Sequence, residues 1–144
     1  MLSQNIRHGK YIVELKPKYS DFKAVQVPQF GAYGARDMDS APFCLGWSFV
    51  TEPFVMISEP HTHDFDQFLH FFNGDSLHLA EFPAEVEFTL GEELETHVIT
   101  GPTVIHVPAG VLHGPLEFKK VDAPVVFMNV ALTPEYFKPG EHPK

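Results

Sequence analysis

Apolar and polar residues alternate along most of this chain in short runs. That is the period of strands, whose successive side chains point to opposite faces. Tyr11–Leu15 is the first such run and Pro17 bounds it. Phe43–Val50 is a longer apolar run closed by Glu52-Pro53, and Phe54–Ile57 follows directly. Phe65–Phe72 is stopped by Asn73-Gly74-Asp75, a strong turn signal. Glu85–Leu90 places Val86, Phe88 and Leu90 on one face, Gly91-Glu-Glu93 makes a turn, and Glu95–Thr100 returns. Thr103–Val107, Leu116–Val121 and Val125–Leu132 complete the predicted set. No segment carries a long stripe at helical spacing. In the tail, Thr133-Pro134-Glu135 has the pattern of an N-cap and a first-turn proline, and Pro139 limits it to one turn. Strands at short, regular spacing with hairpin turns predict an all-β sandwich or barrel with little helix. Residues 17–42 are the least regular part, rich in Pro, Gly and aromatic side chains, and are expected to pack across a barrel mouth or a partner.

Length and composition narrow the class. A chain of 144 residues has the size of one domain, and no linker or repeat divides it, so residues 1–144 are read as one unit. It is 44% hydrophobic with 14 Phe, enough for a core without covalent staples. One cysteine, Cys44, excludes an internal disulfide and reads as a small buried hydrophobe. A formal charge of −9 argues against nucleic acid and anionic membrane surfaces as partners, since both demand basic patches. No apolar stretch approaches the roughly 20 residues of a spanning helix. The N-terminus shows no signal-peptide core, so a cytoplasmic location is expected.

The chemistry concentrates in His61-Thr-His63, followed by Gln67. On a strand, residues two apart share a face, so the two imidazoles and the Gln67 amide would point at one spot. Downstream, Gly101-Pro-Thr-Val-Ile-His-Val-Pro108-Ala-Gly110-Val-Leu-His113 adds a fourth candidate ligand, His113. His70 falls on the face opposite Gln67, with Asp66, Phe68 and Phe72, and reads as structural or interfacial. The facing of His106 is left open by its neighbours, and it stands as a weak candidate acid or base. Glu87 alternates with core residues. It belongs to a solvent face, or to a cavity if that face lines a barrel, and is the second weak catalytic candidate. Asp64 and Asp66 are either acceptors orienting ligand imidazoles or solvated loop acids.

The two stretches resemble the paired motifs of the cupin superfamily. The first family motif carries His-x-His, an acidic or amide residue three or four positions on, and a closing glycine, here His61, His63, Gln67 and Gly74. The second runs glycine, strand, Pro-x-Gly, then histidine, here Gly101, Pro108, Gly110 and His113. The resemblance covers roughly residues 43–132, leaving 1–42 as an N-terminal strand and an irregular segment. It implies a double-stranded β-helix, or jelly-roll barrel, binding one divalent transition metal (Fe, Mn, Zn, Ni or Cu) through His61, His63, Gln67 and His113. There are departures. No glycine precedes the histidine pair at the usual distance, Gln67 replaces the usual Glu, one extra residue lies between Gly101 and Pro108, and Glu117 replaces the second motif's final Asn. Residues 75–84 form an additional stretch before the next strand.

Three imidazoles and an amide oxygen are neutral, so a bound divalent ion would keep its full charge and favour an anionic further ligand. The expected function is that of a metal-dependent enzyme polarising a small anionic organic molecule such as a sugar acid or keto acid. An oxygen-activating iron dioxygenase is one alternative, and a non-catalytic metal or small-ligand binder is another. The surplus of aromatic residues, with Phe68 and Phe72 opposite the site face and Phe22 and Phe30 without an evident partner strand, predicts a homodimer.

Overall fold

The computed structural model describes residues 7–19, 22–25 and 29–136. Among them nine strands follow in chain order: β1 (Phe30–Tyr33), β2 (Cys44–Val50), β3 (Phe54–Ile57), β4 (Gln67–Asn73), β5 (Ala84–Leu90), β6 (Glu95–Ile99), β7 (Thr103–Val107), β8 (His113–Val121) and β9 (Val125–Ala131). A four-residue helical turn, α1 (Gly34–Asp37), follows β1. The strands form two antiparallel sheets, β1-β2-β9-β4-β7 and β3-β8-β5-β6. Their inner faces close on one core that includes Val50, Leu69, Phe71, Val86, Phe88, Leu116, Phe118 and Val125. This is a jelly-roll barrel, within the all-β class that the alternation predicts and of the kind the motif resemblance implies.

Alternation decides which side chains enter. In β4 the buried positions are Gln67, Leu69, Phe71 and Asn73, and Phe68, His70 and Phe72 face outward. Opposite them, Ala131, Asn129, Phe127 and Val125 of β9 take the same inner face by register. In β2 the partners of these β9 residues are Cys44, Gly46, Ser48 and Val50.

Several expectations need correction. Tyr11–Leu15 is not a strand: Gly9–Tyr11 is a 3-10 turn and residues 12–17 join no ladder. Tyr11 and Ile12 are exposed, so the alternation there has no core to seat against. The irregular 17–42 region contains β1, which pairs with β2 along its whole length and sets Phe30 against Trp47 at 5.4 Å. Phe22 also finds a partner, packing on Phe54 at 5.3 Å. The neighbouring residues Ala24 and Val25 are buried, and Thr51 donates from its backbone N–H and its hydroxyl to the Ala24 carbonyl. Residues 22–25 thus pack against β3 and the link between β2 and β3. The tail turn at Thr133-Pro134-Glu135 is not helical; the Thr133 hydroxyl donates to the Glu135 carbonyl instead, and residues beyond 136 lie outside those described.

Candidate metal centre

His61, His63 and His113 converge at one end of the barrel, with one ring nitrogen from each lying within 4.8 Å of the others. The backbone brings them together from two directions. His61 exchanges both main-chain hydrogen bonds with His113, 2.9 and 3.0 Å, as an isolated antiparallel bridge. Pro108–Val111 makes a turn in which Val111 N–H donates to the Pro108 carbonyl and Gly110 takes a φ of +84°. That left-handed conformation is open to glycine at little cost. The same Gly110 donates its N–H to the His63 carbonyl at 2.8 Å, so the second motif's turn holds the first motif's histidine.

The expected strand through His61, His63 and Gln67 is replaced by a bend. Residues 62–66 join no ladder and β4 begins only at Gln67. Asp66 holds the bend closed. Its Oδ1 accepts from Ala109 N–H at 3.1 Å, its Oδ2 from His106 Nε2 at 2.7 Å, and its carbonyl from Leu132 N–H. The hydrogen bond from His106 is the chief reason the Asp66 carboxyl titrates below its ordinary value, followed by that from Ala109. The bend folds the imidazoles much closer than a flat strand would. His61 Nε2 and His63 Nε2 are 3.1 Å apart. Two nitrogens bound to one ion at 2.0–2.1 Å, at angles between octahedral and tetrahedral, stand about 2.8–3.4 Å apart.

The outer nitrogens are anchored. His113 Nδ1 lies 3.0 Å from the Val111 carbonyl and His61 Nδ1 lies 3.3 Å from the Glu59 carbonyl. Each carbonyl calls for a proton on Nδ1, which leaves the Nε2 lone pair aimed at the cluster, the usual arrangement behind a metal-ligating imidazole. Burial lowers the His113 pKa below its ordinary value, and the nearby His61 adds to this against the opposing effect of the Val111 hydrogen bond. His113 is therefore held as the neutral donor.

Gln67 is 4% exposed and opens β4 beside the triad. Its Nε2 donates to Asn129 Oδ1 at 3.0 Å and to the Tyr136 hydroxyl at 3.1 Å. The same hydroxyl lies 3.3 Å from His63 Nε2, so Tyr136 links the amide to the triad. Among the described residues, Gln67 Oε1 and His113 Nε2 are the buried side-chain polar atoms without a hydrogen-bond partner. An orphaned buried acceptor costs about 1–3 kcal/mol. His113 Nε2 lies in the triad and Gln67 is joined to the triad through the Tyr136 hydroxyl, so both fit the donor set of a divalent cation held there.

The weak catalytic candidates sit elsewhere. His106 lies on the outer face of β7, next to buried Val107, stacked on Phe68 at 4.7 Å and paired with Asp66. It positions the bend and does not enter the cluster. Glu87 lies between buried Val86 and Phe88 and faces outward, opposite Val98 and Glu117 of the neighbouring strands. His70 is also outward, near the Met128 carbonyl. Tyr136 and Asn129 are the site residues that the motifs do not mark. Tyr136 is far from Gln67 in sequence and only the closing of the barrel joins them.

Behind Tyr136 and Asn129 a cavity of about 250 Å³ opens between β1, β2 and β9 and residues 18, 22, 25 and 29. Among the described residues, no helix is long and apolar enough to cross a membrane.

The fold and the paired motifs define the class: this chain has the cupin fold. No sequence-family profile and no curated protein sequence matches it. Solved structures do. The formate complex of Lactobacillus farciminis oxalate decarboxylase superposes with a TM-score of 0.56 at 15% identity, over 85% of this chain and 32% of that one. A point mutant of Bacillus subtilis oxalate decarboxylase gives 0.55 at 15% identity, over 85% of this chain and 29% of the other. A Bacillus subtilis oxalate decarboxylase structure described for its Mn(II) centres gives 0.54 at 10% identity, over 89% and 29%. The chain therefore spans about a third of the length of these enzymes, and the likeness is one of fold.

Proposed function

We propose that the protein is a metal-dependent cupin that binds a small organic anion at an ion held by His61, His63 and His113, with Gln67 Oε1 as the fourth donor. The carrying observation is the histidine triad, with His61 and His113 anchored through Nδ1, together with the buried, unpartnered acceptors His113 Nε2 and Gln67 Oε1. Structurally similar oxalate decarboxylases with Mn(II) centres and a bound formate support this reading by fold. The bound ion would supply Lewis-acid polarisation of a carboxylate or carbonyl. The chain's own residues supply the rest. Nδ1 anchoring fixes the His61 and His113 rings, burial keeps His113 neutral, and Asn129 orients the Gln67 amide. The Tyr136 hydroxyl, in hydrogen-bond reach of both Gln67 and His63, is the group placed to hold or pass a proton at the site.

The neutral donor set gives a test. Gln67→Glu adds a negative charge and should weaken binding of a carboxylate probe to metal-loaded protein by about tenfold or more, while metal affinity rises. Calorimetry with formate on both proteins measures this. Equal formate affinity in the two would contradict a role for Gln67 beside the ion.

We also propose a homodimer. Trp47, Phe49, Phe68, Phe72 and Met128 fall on the outer side of the five-stranded sheet by alternation and remain only half-buried there. A second copy covering that face accounts for them. Light scattering should give twice the chain mass, and Met128→Glu should reduce it to one chain. A single-chain mass for the unaltered protein would end the proposal.

A further inference from the structure

The cavity lined by Asn129 and Tyr136 has a composition that selects its occupant. Its wall nearest the cluster is Asn129 and Tyr136, the two residues bonded to Gln67. Phe22, Tyr33, Met56 and Phe127 make the rest of the lining largely apolar and aromatic. Among the described lining residues Lys18 is the sole cation, and its Nζ sits 5.4 Å over the Tyr33 ring. None of those lining residues carries a carboxylate.

Size gives the second constraint. A cavity of about 150 Å³ lined by apolar side chains accepts benzene. The 250 Å³ here holds a ring with a short arm. A two-carbon dianion would leave most of it unfilled. Part of the space exists because β2 carries glycine at its centre. Gly46 shares the inner face with Asn129 by register. A Cβ built on it would meet a single neighbouring atom within 4 Å, the Phe30 carbonyl oxygen at 3.7 Å.

From these observations we infer that the site takes an organic anion with a ring-sized apolar body, an aryl-substituted carboxylate or 2-oxo acid. Its charged end meets the histidine triad and its body fills the cavity past Tyr136 and Asn129. This rests on the metal reading above and names its substrate class.

The test uses the full chain loaded with Co(II), whose visible absorption reports both retention of the ion and a change in its ligands. Phenylpyruvate and oxalate are titrated separately. Phenylpyruvate should perturb the spectrum at a concentration at least tenfold below oxalate. Gly46→Val, which projects two methyl groups into the cavity, should retain cobalt, weaken phenylpyruvate at least tenfold and leave oxalate unchanged. Should that variant fail to fold, the two-ligand comparison on the unaltered protein still decides. Cobalt retained with oxalate as tight as phenylpyruvate overturns the inference alone. No cobalt retained overturns the metal reading and this inference with it.

Discussion

His63→Ala should abolish metal binding at micromolar concentrations while the protein stays folded. Losing an outer hydrogen-bond partner of a ligand typically costs 10–100-fold in metal affinity, and losing a ligand costs more, so a drop beyond about 100-fold is expected. The fold should hardly notice. His63 lies in the 62–66 bend at the barrel's end, stacked on Phe65 and beside Tyr136. The core around Leu69, Phe71, Phe88 and Phe118 is built without it. Urea denaturation of the metal-free variant should differ from metal-free parent by no more than about 1 kcal/mol. Metal titration and denaturation together check both halves. Undiminished affinity would remove His63 from the ligand set.

Gly114→Ala should damage both the fold and the site. Gly114 follows His113 with φ +106°, a conformation that side chains rarely adopt. A Cβ there would stand 2.9 Å from the Glu59 carbonyl oxygen and 3.1 Å from Ile57 Cγ2. The backbone on both sides is committed, because His113 pairs with His61 and Glu59 anchors the His61 ring. The strain cannot relax without moving two of the three imidazoles. A loss of about 2 kcal/mol or more is expected from denaturant melts, with weakened metal binding alongside it. A variant as stable as the parent would show that this approach of backbones is not tight in solution.

The contrast between these two positions shows what a sequence of this kind discloses. The strands β5, β7 and β9 are legible because their alternation is set by burial against one core, and that pattern is local. The Pro108-Ala-Gly110 turn is legible because glycine in the left-handed region is a local demand. The histidine cluster is legible in membership but not in geometry. Strand parity expects His61, His63 and Gln67 in line, whereas Asp66 closes a bend by bonding to Ala109 and His106, residues some forty positions away. β1 is hidden for a similar reason. Phe30-Gly-Ala-Tyr33 has two small residues among four and becomes a strand by pairing with β2. Tyr136 carries no motif at all, and its place beside Gln67 depends on β9 returning to β4. Glu87 and His106 draw attention as titratable groups near the motifs, but alternation turns both outward.

Everything proposed for the site depends on the three histidines holding an ion. Elemental analysis of protein purified without a tag and without added metal tests this most directly. About one equivalent of a divalent transition metal per chain, lost in His63→Ala, is the predicted result. Metal-free protein that also fails to take up any divalent transition ion on dialysis would contradict it.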